Sequence, residues 1–271
     1  MADTLRPEAL FGLDMLAEHL AGFQPPTAAH DPAGDWELTY TAYCLAAEQG
    51  VGGPVGTLRL RRTRHDGERF VLDVVSEKRS AYRFTDSLTA EIEAHGTRLP
   101  EPLRWSWEEL IRGLRGDVVP RSQLKRSATL QGGMLAIGSR KVPLTGPCTL
   151  HWLLMEAVGR LPREPFAPLT FTLLDQLDEV KTGHTLRYAE SPTVLLGQSP
   201  LKPRAQPAAA HQPQAAEVIG RPVRLHAYHH FGDGVLPSVY WVDDQGRLLI
   251  AAAGVEAYVL NSFAKNQGGK S

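Results

Sequence analysis

Two cysteines in 271 residues, Cys44 and Cys148, are too few for a disulfide framework or a cysteine-rich zinc site. They read as two small buried hydrophobes or as one disulfide closing a long loop. Charge of one sign is lacking as well. The chain holds 29 basic and 30 acidic residues, a formal net charge of −1. No global field therefore draws in nucleic acid or an anionic surface. Long apolar runs are missing; the stretch 248–255 is far too short to span a bilayer, so no membrane span is expected. The start, Met-Ala-Asp-Thr-Leu-Arg-Pro-Glu, has neither the basic beginning nor the apolar core of a signal peptide. The expected compartment is the cytoplasm, or the periplasm or exterior if a signal peptide has been removed.

Catalytic signatures are scarce too. No Gly-x-Ser-x-Gly elbow occurs, and Ser87, Ser139 and Ser238 stand in no activating context. The glycines from Gly50 to Gly56 are interrupted by Pro54, no helix follows them, and the phosphate-loop lysine is absent. The carboxylates Asp175, Asp178 and Glu179 read as the polar end of a hairpin, and Glu108 with Glu109 as the wet face of a short helix. No cofactor is expected.

What the chain has in quantity is strand pattern. Residues 36–44 alternate, with Trp36, Leu38, Tyr40, Ala42 and Cys44 on one face. Strands at 57–61 and 69–75 flank His65-Asp66-Gly67-Glu68, a turn that tolerates positive φ. Two more strands are expected near 81–84 and 88–94, and a hairpin over 126–144 around Gly132-Gly133. A later block runs through 169–180, turns at 181–183 and returns over 184–188; a last meander begins at Pro222. Arg59, Arg61, Arg62 and Arg64 cluster with His65; Arg59 and Arg61 share the face opposite Leu58 and Leu60, the expected outer face of a half-buried strand.

Helices are fewer. Leu10, Leu13, Leu16 and Leu20 recur at helical spacing over 7–21. Trp105, Trp107, Leu110, Ile111 and Leu114 suggest a short amphipathic helix or irregular cover over 103–118. Leu150, Leu153, Leu154, Ala157 and Val158 predict a helix that Gly159 ends. With no strand-helix-strand alternation, the expected fold class is α+β: a mainly antiparallel meander, curved or half-barrel, with two or three covering helices. The chain reads as a single domain over 1–271, or as two similar β-rich halves, 23–144 and 165–262. Residues 197–217, rich in Pro, Ala and Gln, read as a flexible insertion.

Two constellations stand out. His226, His229 and His230 share a strand, with His226, Tyr228 and His230 on one face and His229 on the other. His226 and His230 lie four residues apart, roughly 13 Å along a strand, so one metal cannot bind both directly. They read as solvated or hydrogen-bonded strand histidines, with a metal-dependent hydrolase around His226, His230 and Asp233 as the sharper alternative. Second, Trp36, Tyr40, Tyr228, Tyr240 and Trp241 are aromatic strand positions. They either fill a core or line a concave apolar face open to a ligand.

The meander over 36–42, 58–75 and 238–260, with Tyr240-Trp241-Val242-Asp243 followed by Gly246-Arg247-Leu248, resembles the half-barrel of bacterial lipoprotein-carrier proteins (LolA/LolB-like) and related uncharacterised envelope proteins. The resemblance is topological and covers about half the chain. It implies a noncatalytic protein holding an apolar ligand, such as a lipid, or a protein partner on a curved sheet. The alternative is a structural or interaction protein with a filled core.

Overall fold

The computed structural model describes residues 4–5, 19–20, 23–24, 26–45, 53–80, 84–196 and 221–261. The insertion expected at 197–217 lies outside the described residues. So does the helix expected at 7–21, apart from His19 and Leu20, which are helical.

From its second strand on, the first half is an antiparallel meander. A two-residue strand, β1 (Thr4–Leu5), is followed by β2 (Trp36–Cys44), β3 (Gly53–Arg64), β4 (Arg69–Arg79), β5 (Thr85–His95) and β6 (Glu101–Arg112). Then come β7 (Leu124–Gln131), β8 (Met134–Ile137), β9 (Arg140–Pro143) and β10 (Cys148–Leu150). One helix, α1 (His151–Ala157), continues as a 3-10 turn over Val158–Arg160. The second half contains β11 (Leu169–Asp175), β12 (Glu179–Glu190), β13 (Thr193–Leu196) and β14 (Arg221–Arg224). It ends with β15 (His226–Phe231), β16 (Ser238–Val242), β17 (Leu248–Ala253) and β18 (Glu256–Leu260).

Fifteen of these strands form one sheet in the order β10-β11-β12-β15-β16-β17-β18-β2-β3-β4-β5-β6-β7-β8-β9. All its neighbours are antiparallel except β10 and β11. Strands β1, β13 and β14 form a second, small sheet. The large sheet curls until β10 lies against β6. The seam is not a backbone ladder. Thr149 Oγ1 donates to the Pro100 carbonyl at 2.7 Å, and Trp105 Nε1 to the Leu177 carbonyl at 2.8 Å. Arg126 pairs with Asp178 across the same line.

Alternation explains the curl. Leu58 and Leu60 on β3, Phe70, Leu72 and Val74 on β4, and Ala90, Ile92 and Ala94 on β5 are all buried, with polar residues between them facing out. Gly56 permits the tightest approach, since a Cβ there would lie 1.9 Å from the Glu77 carbonyl oxygen.

This architecture corrects the expected fold class. Among the described residues the protein is mostly β, and the one complete helix is short, in place of two or three covering ones. The segment expected as helix or cover at 103–118 is β6 and the turn after it. Trp105 and Trp107 are two apart and both buried, which is strand spacing; Leu110, Ile111 and Leu114 mislead because they are partly or fully exposed. The turn expected at 181–183 lies instead at 176–178, where Gln176 and Leu177 adopt positive φ of 46° and 72°. No turn-forming glycine marks it.

Helix α1 does not cover the sheet; it runs inside it. Leu153, Leu154, Met155, Glu156 and Ala157 are buried in succession, which leaves no wet face. Its contacts reach β10, β11 and β17, and Glu156 reaches Arg62 on β3.

Candidate functional site

Glu156 organises the lumen. Its Oε1 accepts from Arg62 Nε at 2.9 Å and from Arg160 Nε at 2.8 Å, and its Oε2 from Arg160 Nη2 at 2.6 Å. Arg62 also donates to the carbonyls of Ala33 and Gly34, and Arg160 to those of Gly96 and Thr97. Both guanidiniums lie over the Phe70 ring, Arg62 at 4.4 Å and Arg160 at 5.7 Å. Burial pushes the Glu156 carboxyl above the ordinary range, against the pull of its two partners. The cluster fixes α1 to the wall and to the lower rim, where the turns at 65–68, 96–100 and 243–247 lie. Within the basic run Arg59 and Arg61 face out, and Arg62 turns in.

The five aromatic residues are all buried, Trp36 at 7%, Tyr40 and Tyr228 at 0%, Tyr240 at 1% and Trp241 at 3% exposure. They are spread round the wall and not gathered at an opening. Tyr40 donates to the Leu248 carbonyl at 3.2 Å, Tyr228 to that of Pro162 at 2.9 Å, and Trp36 Nε1 to that of Pro32 at 3.2 Å. Tyr228 and Tyr240 are register partners on β15 and β16. Trp241 follows Tyr240 and faces the other side of the sheet.

The histidines alternate as the sequence implies, with His226 and His230 buried and His229 half-buried. They do not converge. His226 Nε2 pairs with Asp244 Oδ1 at 2.9 Å near the lower rim. His230 Nε2 lies 2.8 Å from Nδ1 of His184 on β12, and Phe171 stacks on the His230 ring at 5.6 Å. Burial, then the neighbouring His184 and His151, lower the His230 pKa to about 3. Gly232 covers His184 so closely that a Cβ would lie 2.1 Å from its Nδ1. Asp233 therefore stands beside His184 and does not join His226 in a common pocket. Among the described residues, no group of three or more His, Cys, Asp or Glu side chains is placed to hold a metal. Cys44 and Cys148 are both free thiols, and burial followed by Glu101 raises Cys148 to about 12.

The upper rim carries Ser80 and Phe84 at the facing ends of β4 and β5, and the turns at 113–123, 176–178, 232–237 and 254–255. It is where large apolar side chains reach solvent. Phe84, Ile111, Leu114, Val118, Phe231, Leu236 and Val255 are exposed at this end, and Met134 at the other. Depressions on the outer wall of the described residues include two. One is lined by Arg59, Arg61, Asp73, Glu91, Glu108 and Lys125, the other by Arg64, Asp66, Arg69 and Glu93. Both mix charges of opposite sign.

The fold has a solved counterpart. A crystal structure described as a beta-barrel-like protein of the domain of unknown function DUF1849 from Brucella abortus superposes with a TM-score of 0.52. The match covers 88% of this chain and 99% of that one, at 12% identity. No protein-family model and no curated protein matches the chain. At that identity the likeness shows a barrel-like fold and nothing of function.

Sequence reasoning missed Glu156, His184 and the upper rim. One signal was available for the first: Arg62 continues the inward register of Leu58 and Leu60, and a buried arginine needs a buried acid. His184 carries no such sign, because its partner lies 46 residues away on another strand. Among the described residues, no helix is long and apolar enough to cross a membrane.

Proposed function

We propose that this chain is a noncatalytic binding protein whose barrel is a filled scaffold and whose partner is met at its surface. The observation that carries the reading is Glu156, which ties α1 to Arg62 and Arg160 within the lumen. A lumen closed in this way leaves the upper rim and the outer wall as contact surfaces. The buried histidines support the same reading, since His184, His226 and His230 are at most 3% exposed and no substrate reaches them in this conformation.

The arrangement implied by the carrier resemblance, an apolar ligand on the concave face, requires α1 to withdraw. That step would separate Glu156 from Arg62 and strand the Arg62 charge against the wall. Native mass spectrometry of gently purified protein tests the choice. The bare polypeptide mass is expected. Extra mass of several hundred daltons, released by organic solvent, would give the lumen to a ligand and overturn the filled scaffold. Extra mass of tens of daltons, removed by a chelator, would overturn it in favour of a metal at the histidines.

A further inference from the structure

We propose that the 232–237 turn on the upper rim is an acid-released latch, closed at neutral pH over the His184–His230 pair and opened when that pair takes up a proton. The inference goes beyond the filled scaffold, since it makes one of its contact surfaces depend on pH.

The latch rests directly on the pair. Thr185 is the register partner of Phe231, so one step further along the ladder brings His184 under Gly232. A Cβ on Gly232 would lie 2.1 Å from His184 Nδ1 and 2.4 Å from its Cε1, so only a glycine lets the backbone settle on the ring. His184 Nδ1 and His230 Nε2 lie 2.8 Å apart and share one hydrogen bond. The two residues are 0% and 1% exposed, and Phe171 packs on both rings.

Little else holds the turn down. Lys181 Nζ donates to the Gly234 carbonyl at 2.9 Å. Leu236 lies over Gly254, where a Cβ would meet its Cδ1 at 2.5 Å. Asp233, Gly234, Leu236 and Pro237 are exposed. A segment with so few buried contacts opens at a smaller free-energy cost than the strands beneath it.

The closed site has no place for a second charge. His230 Nδ1 is enclosed and meets no hydrogen-bond partner. A proton added there finds no acceptor until water reaches the ring, and a buried cation without a partner is strongly disfavoured. The surrounding charges do not supply one. Asp175 of β11 accepts from Lys181 of β12 at 2.6 Å, and Glu179 approaches the same ammonium at 3.4 Å. His151 of α1 adds a third imidazole, and its own charged neighbours, Lys78 of β4 and Glu256 of β18, are already paired with each other. Ser238 of β16, the register partner of His230, carries no charge, and Asp233 belongs to the turn itself. Burial, then His184 and His151, accordingly lower His230 to about 3, against the pull of Asp175. Burial lowers His184 too, with Asp175, Lys181 and Asp233 as smaller influences. Lifting the turn hydrates the rings and returns His230 toward its ordinary 6.5. The open form therefore binds the proton between those values, and each unit of pH below 6.5 favours it about tenfold.

Hydrogen exchange of the full chain, read by mass spectrometry at pH 7, 6 and 5 and corrected for the intrinsic rate at each pH, tests the latch. Protection in peptides spanning 182–186 and 229–238 should fall about tenfold per pH unit below 6.5, while β3 and β4 keep theirs. H230Q should lose most of that slope, and H184Q gives the same test from the partner ring. H226Q, which alters a histidine on the same strand that bonds to Asp244 instead, should retain it. Constant protection across the range overturns the latch. So does an equal fall in β3 and β4, since acid would then act through global unfolding. An undiminished slope in H230Q and H184Q overturns it as well, because the proton would belong to another group. The native mass by which the filled scaffold is judged is untouched by any of these results.

Discussion

Arg62 Nε and Glu156 Oε1 lie 2.9 Å apart in the lumen, and neither side chain is more than 5% exposed. Arg160 completes the cluster from the turn after α1. Removing one partner leaves a charge buried without compensation. R62A should cost about 3 to 5 kcal/mol. The R62A/E156A double variant should cost less than the sum of the singles by about 1 to 3 kcal/mol, because Glu156 no longer needs Arg62. Urea denaturation of the four proteins of the cycle measures both quantities. Additive losses would mean that Arg62 and Glu156 act independently.

A second pair fixes the end of α1. A Cβ on Gly159 would lie 2.4 Å from the Gly246 carbonyl oxygen, and a Cβ on Gly246 would lie 2.2 Å from that of Gly159. Gly246 also has φ of +79°, which an alanine adopts only with strain. G159A should destabilise by about 1 to 3 kcal/mol through backbone displacement. G246A should cost more, since it adds the φ strain. Thermal midpoints of the two variants give the order, and the reverse order would show that the contact yields easily.

These two pairs show what the sequence discloses and what it hides. Gly159 ends a helical pattern, and Asp243-Asp244-Gln245-Gly246 is a turn; both features follow from local chemistry. That the two glycines touch is a tertiary fact, since their numbers differ by 87. The strands were legible for the same local reason. Period-2 alternation identifies β2 to β5, and Gly132-Gly133 the β7–β8 turn. β6 was misread because its last residues, Leu110 and Ile111, break alternation as they approach the exposed rim. The inside position of α1 was not legible either. Its polar residues His151, Glu156 and Arg160 look like a wet face until the lumen's arginine is known. The aromatic strand positions were found, but alternation alone cannot say whether a concave face is open or filled.

The seam gives the next prediction. Trp105 Nε1 donates to the carbonyl of Leu177, itself a buried residue in a left-handed turn. W105F keeps an aromatic ring and removes the donor, leaving that carbonyl without its partner. A loss of about 1 to 2 kcal/mol is expected. Hydrogen exchange should rise mainly in β10 and β11 and in the 176–178 turn, and hardly at β3 and β4 on the far wall. Uniform acceleration would mean that the seam opens only with global unfolding.

The His184–His230 pair makes stability depend on pH in a defined direction. Burial comes first among the causes that lower both, and His230 falls to about 3 from an ordinary 6.5. An unfolded histidine takes up a proton near pH 6.5, whereas the folded one resists it. The unfolded state therefore binds more protons between those values, and stability falls as pH drops below 6.5. From pH 6.5 to 5, His230 alone should remove about 2 kcal/mol. His151, also lowered chiefly by burial, acts in the same direction. Glu109 and Glu156, raised chiefly by burial, act against it, and Glu256, held low by Lys78 and Tyr258 despite its burial, matters only nearer its ordinary 4.5. Urea midpoints across that window should decline in the wild type. In H230Q, whose amide can still bond to His184 but does not titrate, the decline should be shallower. Parallel profiles for the two proteins would assign the acid sensitivity to other groups, and a flat wild-type profile would show that the pair takes up protons without opening the barrel.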